Sequence, residues 1–253
     1  MRKSAIFLLF VAFCLTILGL SAQGGIAVSP QTARTKTEAE GKQKPEDSKQ
    51  RPVAKSKVYL LHSDLLRKDA SHPDAQIVTG NVSFRHDSVY MYCDRACYYD
   101  KVSSFEAFGN VKMVQGDTLF LYGDRLYYDG LTQIAEMRCN VRMENRTTTL
   151  LTDSLNYDRV YNLGYFFDGG TLMDEQNVLT SEWGEYSPQT KQSVFNYNVK
   201  LVNPQFTLTS DTLRYNTASK IADIVGPSDI WSDANHIYSE KGTYNTLTGK
   251  ADL

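Results

Sequence analysis

The chain has 253 residues, 42% of them apolar and 11% aromatic, with sixteen tyrosines and a formal net charge of −2. That length and apolar content suit one large all-β domain or two small ones, and the aromatic bias favours strands over helices. From Val58 onward there are 17 basic against 25 acidic residues, an acidic balance that argues against nucleic acid as a partner.

Met1-Arg2-Lys3 is a short positive segment and Ala5–Leu20 an uncharged apolar run. Ser21-Ala22 then offers a small-residue cleavage site, although Leu20 fits the −3 position poorly. The pattern predicts a secretory signal peptide over residues 1–22. The alternative is an uncleaved anchor, but the run is short for spanning a bilayer. Phe13-Cys14 is a weak lipoprotein signal, because a small residue should precede the cysteine.

Residues 23–57 contain no aromatic residue and carry eight Lys/Arg against four Asp/Glu. They are expected to form a disordered polar linker. Its positive charge would serve either as a solvating tether or as a contact for anionic lipid headgroups.

Residues 58–253 are periodic. Asp94, Asp124, Asp153, Glu182, Asp211 and Glu240 are each followed four positions later by a tyrosine: Tyr98, Tyr128, Tyr157, Tyr186, Tyr215 and Tyr244. The acids are spaced 30, 29, 29, 29 and 29 residues apart, and a further step back reaches Asp64, where Lys68 replaces the tyrosine. Such a period marks a repeat architecture. An apolar residue lies three positions before each acid (Leu61, Met91, Leu121, Leu150, Leu179, Leu208, Ile237) and a small one lies directly before it. After the acid, apolar residues fall two and four along, as in Leu126 and Tyr128. The buried parity therefore switches at the acid, which requires a bend or bulge in a strand. A carboxylate at that corner is expected to accept backbone N–H groups that the ladder has lost.

Turns such as "YDGLTQ" and "YNTASK" follow the tyrosine. The chain then returns through a corner bearing Gly or Asn and a second apolar alternation, as in Val111/Met113, Val141/Met143 and Val199/Leu201. One copy thus makes about two bent antiparallel strands, and seven copies make roughly thirteen. At about 4.8 Å between strands the stack would be about 60–70 Å long, an all-β solenoid in which each copy touches mainly its neighbours.

Nothing in the sequence supports catalysis. His62, His72, His86 and His236 lack metal-ligand spacing, and no GxSxG, phosphate loop or calcium-binding nonapeptide occurs. The regular acids suit a structural ladder rather than one active site. Neither metal nor cofactor is expected. Cys93, Cys97 and Cys139 remain after signal cleavage. Cys93 and Cys97 are four apart on a strand, roughly 13 Å, too far to bond each other. All three read as buried thiols.

The stretch "GNVKMVQGDTLFLYGDRLYYD" (109–129), with its echoes "GNVSF…CDRACYYD" and "LLTDSLNYD", resembles the OstA-like family. That family includes the periplasmic bridge LptA, the inner-membrane LptC and the N-terminal domain of the outer-membrane LptD. The resemblance covers roughly residues 60–253 and weakens at "DGGTL" (168–172) and "GPSDI" (226–230), where the GNV signature is lost. Leu253 falls within a copy, which leaves open whether further chain follows. The resemblance implies an open β-jellyroll of stacked, V-shaped strands whose apolar trough carries lipopolysaccharide acyl chains across the periplasm of a diderm bacterium.

On this reading the trough is lined by Val111, Met113, Leu121, Leu126, Tyr128, Val141, Met143, Leu150, Leu155 and Tyr157. The expected partners are lipopolysaccharide or a similar glycolipid, OstA-like components at the inner and outer membranes, and further copies of the chain joined head to tail. A membrane-anchored LptC-like acceptor and a structural or protein-binding solenoid of the envelope are the alternatives. By residue pattern alone, a closed, packed core is the favoured reading of the same ten side chains; the resemblance reverses that order.

Overall fold

The computed structural model describes residues 56–70, 72–233 and 235–253, so the expected signal peptide and nearly all of the expected linker lie outside the described residues. The described part is one antiparallel sheet of nineteen strands. They are β1 (Tyr59–His62), β2 (Leu65–Asp69), β3 (His72–His86), β4 (Val89–Tyr99), β5 (Ser104–Gln115), β6 (Leu119–Asp129), β7 (Ile134–Asn145), β8 (Thr148–Asp158), β9 (Leu163–Phe166) and β10 (Gly170–Asp174). There follow β11 (Asn177–Ser181), β12 (Trp183–Tyr186), β13 (Gln192–Asn203), β14 (Phe206–Asn216), β15 (Ile221–Ile224), β16 (Ser228–Ser232), β17 (Asn235–Ser239), β18 (Gly242–Asn245) and β19 (Ala251–Asp252). The only helical turn among the described residues is a 3-10 turn at Asp100–Val102.

Each long strand bends where the parity switch predicts. In β3 and β4, Thr79 faces Arg95 and Val82 faces Cys93, so Gly80-Asn81 stand opposite Asp94 alone. The same two-against-one bulge sets Gly109-Asn110 against Asp124, Cys139-Asn140 against Asp153 and Tyr197-Asn198 against Asp211. All eight bulge residues have φ between 45° and 77°. Glycine and asparagine tolerate that left-handed region best, which is the physical content of the Gly-Asn signature. The asparagine is the constant part, since Cys139 and Tyr197 replace the glycine without loss of the bulge, and the copies that lack the asparagine break instead. The chain leaves the sheet between Phe166 and Gly170 and again between Ile224 and Ser228, the second gap holding Pro227, which has no N–H to give to a ladder.

The corner acids are exposed, and their chief partner differs from the one expected. They accept mainly from asparagine side chains on the following strand, not from orphaned backbone amides. Asn81 Nδ2 donates to Asp64 at 3.0 Å, Asn110 Nδ2 to Asp94 at 2.8 Å, Asn140 Nδ2 to Asp124 at 2.6 Å, and Asn198 Nδ2 to Glu182. One backbone amide does bond as expected, Asn140 N–H to Asp153 at 3.1 Å. Glu240 instead accepts the Tyr238 hydroxyl at 2.9 Å. The reason is local: left-handed backbone at the asparagine throws its carboxamide across the corner toward the neighbouring acid.

The bulges divide the sheet into two arms. The first ends in hairpins after His86, Gln115, Asn145, Asp174 and Asn203, and the second in turns after Tyr99, Asp129, Asp158, Tyr186 and Asn216. Both arms turn an apolar face inward, and the inward side chains form one continuous cluster. The sheet does not close on itself, since β1 and β2 pair only with β3, and β17 only with β16. Cys93 and Cys97 are buried, and burial pushes the Cys93 thiol up to about 12. Cys139 departs from expectation. It is exposed, because it occupies the outward bulge position that Gly80 and Gly109 take in other copies.

Candidate functional site

The ten residues assigned to the trough all lie in the continuous cluster, and none is more than 2% exposed. Val111, Met113, Leu121, Val141, Met143 and Leu150 come from the first arm, and Leu126, Tyr128, Leu155 and Tyr157 from the second. The two inner faces are in contact. Phe84 of the first arm stacks on Phe105 of the second with centroids 4.2 Å apart, and Phe206 meets Tyr244 at 4.4 Å. Met143 packs on Gly164, where an added Cβ would stand 3.4 Å from its sulfur. The interior is therefore packed as a core rather than spread as an open trough.

The equivalent residues at the ends are not covered. Leu61 and Leu66 in the first copy are each 49% exposed, and Ile237 in the last is 40% exposed. Leu66 and Ile237 keep the expected inward parity, opposite Val78 and Ile230, but at an edge no further strand lies over them. In β1 a register shift at Leu61 instead sets Leu60 opposite Phe84 and against the core.

The mouth of the V, where the arm tips meet, carries a second repeating feature that the sequence reading missed. Every tyrosine of the ladder is buried, and Tyr128, Tyr157, Tyr186 and Tyr215 hold their hydroxyls at the mouth beside a polar residue of an arm tip, whereas Tyr98 donates to the Val58 carbonyl at 2.7 Å. Tyr186 donates to Asn145 Oδ1 at 3.3 Å and Tyr215 to Asp174 Oδ2 at 2.7 Å. Tyr157 donates to Asn162 Oδ1 at 3.2 Å, which also accepts from Gln115 Nε2 at 2.8 Å. The residue nine positions after the corner acid reaches over the tyrosine to the same first-arm residue. This gives Asn162 on Gln115, Lys191 Nζ on Asn145, and Lys220 Nζ on both oxygens of Asp174 at 2.8 Å. Lys220 also pairs with Glu175 at 3.2 Å.

These contacts form a row of clasps across the mouth, graded from a neutral amide pair through a lysine–amide pair to a buried ion pair. Asp174 is fully buried. The sequence did hold the signal: a polar residue eight or nine positions before the acid and another nine after it. The residue types vary from copy to copy, with asparagine or lysine nine after the acid and glutamine, asparagine or aspartate before it, so no single letter marks the row.

His86 holds the first clasp by another route. Its Nδ1 lies 2.7 Å from the Tyr128 hydroxyl and 3.1 Å from Arg159, while Nε2 lies 3.2 Å from the Ser56 carbonyl. A neutral imidazole with its proton on Nε2 satisfies all three contacts. Burial, seconded by the Arg159 charge, holds the His86 pKa below its ordinary value. Burial also pushes the Tyr128 hydroxyl up to about 12, with Arg159 opposing. Lys191 is lowered by burial and by nearby Arg146.

Among the described residues no group of three or more His, Cys, Asp or Glu is placed to hold a metal ion. No helix among them is long and apolar enough to cross a membrane.

The model of one protein family, described as OstA-like protein, matches residues 55–211. No curated protein matches the chain. Among solved structures it is similar to LptH, described as the LptA homologous periplasmic component of the conserved lipopolysaccharide transport device from Pseudomonas aeruginosa. That likeness has a TM-score of 0.37 and 13% sequence identity, and covers 39% of this chain and 76% of that one. Likeness at that level assigns no role to individual residues.

Proposed function

Because the chain belongs to the OstA-like family, with residues 55–211 matched, we propose that it is a periplasmic carrier of lipopolysaccharide or a comparable outer-membrane glycolipid. The observation that carries this reading is the interior itself. An apolar core runs without interruption from Val78 in β3 to Ile230 in β16, with polar side chains held to the corner and the mouth. A core needed only for stability has no requirement to be continuous through the length of a sheet.

In this reading acyl chains lie between the arms, against Val111, Met113, Leu121, Leu126, Val141, Met143, Leu150 and Leu155. Tyr128 and Tyr157 pack beside them with their hydroxyls at the mouth, as suits an amphipathic ring. The arms must part to admit a chain. An acyl chain then restores apolar contact for the faces it separates, so the net cost falls mainly on the clasps. No nucleotide or cofactor takes part at this component. The uncovered ends at Leu61, Leu66 and Ile237 would be completed by strand addition from another OstA-like domain, either a partner at each membrane or a further copy.

The test is photo-crosslinking. A benzophenone amino acid at Tyr157, fully buried, is expected to crosslink to purified lipopolysaccharide, while the same group at Tyr92, 43% exposed on the outer face, does not. Crosslinking at neither position, with both variants folded, would leave the interior a closed core and the protein a structural or protein-binding solenoid.

A further inference from the structure

After the four clasps described, the row has a fifth place that lacks its reaching side chain. Lys191 reaches Asn145 and Lys220 reaches Asp174, each 46 residues earlier in the chain. The same step from position 249 leads to Asn203, but position 249 is glycine. Its turn is otherwise the same. Gly249 N–H donates to Asn245 O at 2.9 Å, as Lys191 N–H does to Ser187 O at 2.9 Å and Lys220 N–H to Asn216 O at 2.8 Å. The φ angles are 68°, 64° and 60°. A Cβ built on Gly249 would meet nothing within 4 Å except the Tyr244 hydroxyl, at 3.8 Å.

A recess of about 190 Å³ occupies this part of the mouth, lined by Asn177, Asn203, Gln205, Lys220, Thr246 and Leu247 among others. Three of its polar residues are deeply buried: Asn177 at 4%, Thr246 at 4% and Asn203 at 9% exposure. They are linked, Asn203 Nδ2 donating to Asn177 Oδ1 at 2.9 Å and Asn177 Nδ2 to Thr246 Oγ1 at 3.1 Å. Lys220 is already held by Asp174 and Glu175. Asn177 also donates to the Tyr215 hydroxyl at 3.0 Å, Thr246 Oγ1 to the Lys220 carbonyl at 3.1 Å, and Asn203 Oδ1 accepts from Gln205 N–H at 3.1 Å. What the lining offers outward is therefore the second N–H of Asn203, the exposed Gln176 and Gln205 carboxamides and the Glu175 carboxylate, which match sugar hydroxyls better than phosphate.

We propose that this gap is the lateral entrance through which a glycolipid loads. Its acyl chains pass between Asn203 and Gly249 onto the Phe206–Tyr244 pair, and its saccharide hydroxyls rest on Asn203, Gln176 and Gln205. The proposal rests on the carrier reading and adds where loading begins.

The test is the rate at which the full chain, carrying the benzophenone at Tyr157, crosslinks to purified lipopolysaccharide. Gly249→Lys supplies the missing clasp and is expected to slow loading on the order of five-fold, the factor given by closing one more hydrogen bond. A second variant, Asn203→Gln with Gly249→Asn, copies the Gln115–Asn162 pair and is expected to slow loading likewise. Gly116→Lys places the same side chain on another open glycine, with φ of 64°, and is expected to load like the wild type. Wild-type rates in folded Gly249→Lys and in the double variant would overturn the entrance while leaving the carrier reading intact. Absence of crosslinking in the wild type would overturn both.

Discussion

Replacing Lys220 by methionine tests the strongest clasp. Asp174 is fully buried and its carboxylate is held by Lys220 at 2.8 Å on both oxygens and by the Tyr215 hydroxyl at 2.7 Å. Without the ammonium, the fold must keep an uncompensated buried charge, which costs about 3 kcal/mol. At about 2–4 °C per kcal/mol for a domain of this size, the thermal midpoint should fall by roughly 6–12 °C. Asp174→Asn is expected to cost much less, about 1 kcal/mol, because the side chain of Lys220 is 12% exposed and keeps Glu175 at 3.2 Å. The double variant Asp174→Asn, Lys220→Met makes the site neutral, like the Gln115–Asn162 clasp, and should recover about 2 kcal/mol relative to Lys220→Met alone. Urea and thermal denaturation of the four proteins, followed by circular dichroism, measures the cycle. A loss below about 1 kcal/mol for Lys220→Met, or a double variant no better than that single one, would refute the account of the clasp as a buried, mutually dependent ion pair.

Leu126→Asp puts a carboxylate at a site 2% exposed inside the packed interior, and is expected to abolish folding or cost more than about 4 kcal/mol. A thermal transition close to that of the wild type would show that water reaches the interior and that the arms stand apart. Gly109→Ala meets both a φ of 74° and an Asp94 oxygen 2.5 Å from the added Cβ. It should lower stability by about 1–2 kcal/mol in urea titration, and an unchanged midpoint would mean that the corner adapts. His86, whose folded pKa is depressed by burial and Arg159, stays neutral in the fold while the unfolded chain takes up a proton below about pH 6.5. The stability it contributes is present above that pH and is lost as pH falls toward the folded value, by at most about 1.4 kcal/mol per pH unit. Comparison of wild type with His86→Gln between pH 7 and pH 5 checks this, since the variant should show a shallower decline.

Much of the architecture was legible because strand geometry is local. The two-residue alternation, its switch at Asp94, Asp124, Asp153 and Asp211, and the Gly-Asn pairs fix where each strand bends and which side chains turn inward. The GNV signature is lost at 168–172 and 226–230, and there the sheet breaks, although the sequence reading drew no break from that loss. The inward assignment of Val111, Leu126, Tyr157 and their neighbours follows from parity alone, because a strand residue has only two sides to choose from.

What the sequence could not decide was the distance between the arms and what holds their tips. Whether Phe84 meets Phe105, and whether Asn145, Asp174 and Lys220 form clasps, depends on contacts between residues 20 to 50 positions apart in the chain. Parity says only that such residues point toward one another. The corner acids illustrate the same limit. Their place at the bend was readable, but their partner was set by the left-handed asparagine of the next strand, which becomes a neighbour only once the sheet is stacked. Burial at the ends was also a tertiary outcome: Leu66 and Leu126 hold the same place in their copies, yet only Leu126 has strands on both sides to exclude water from it.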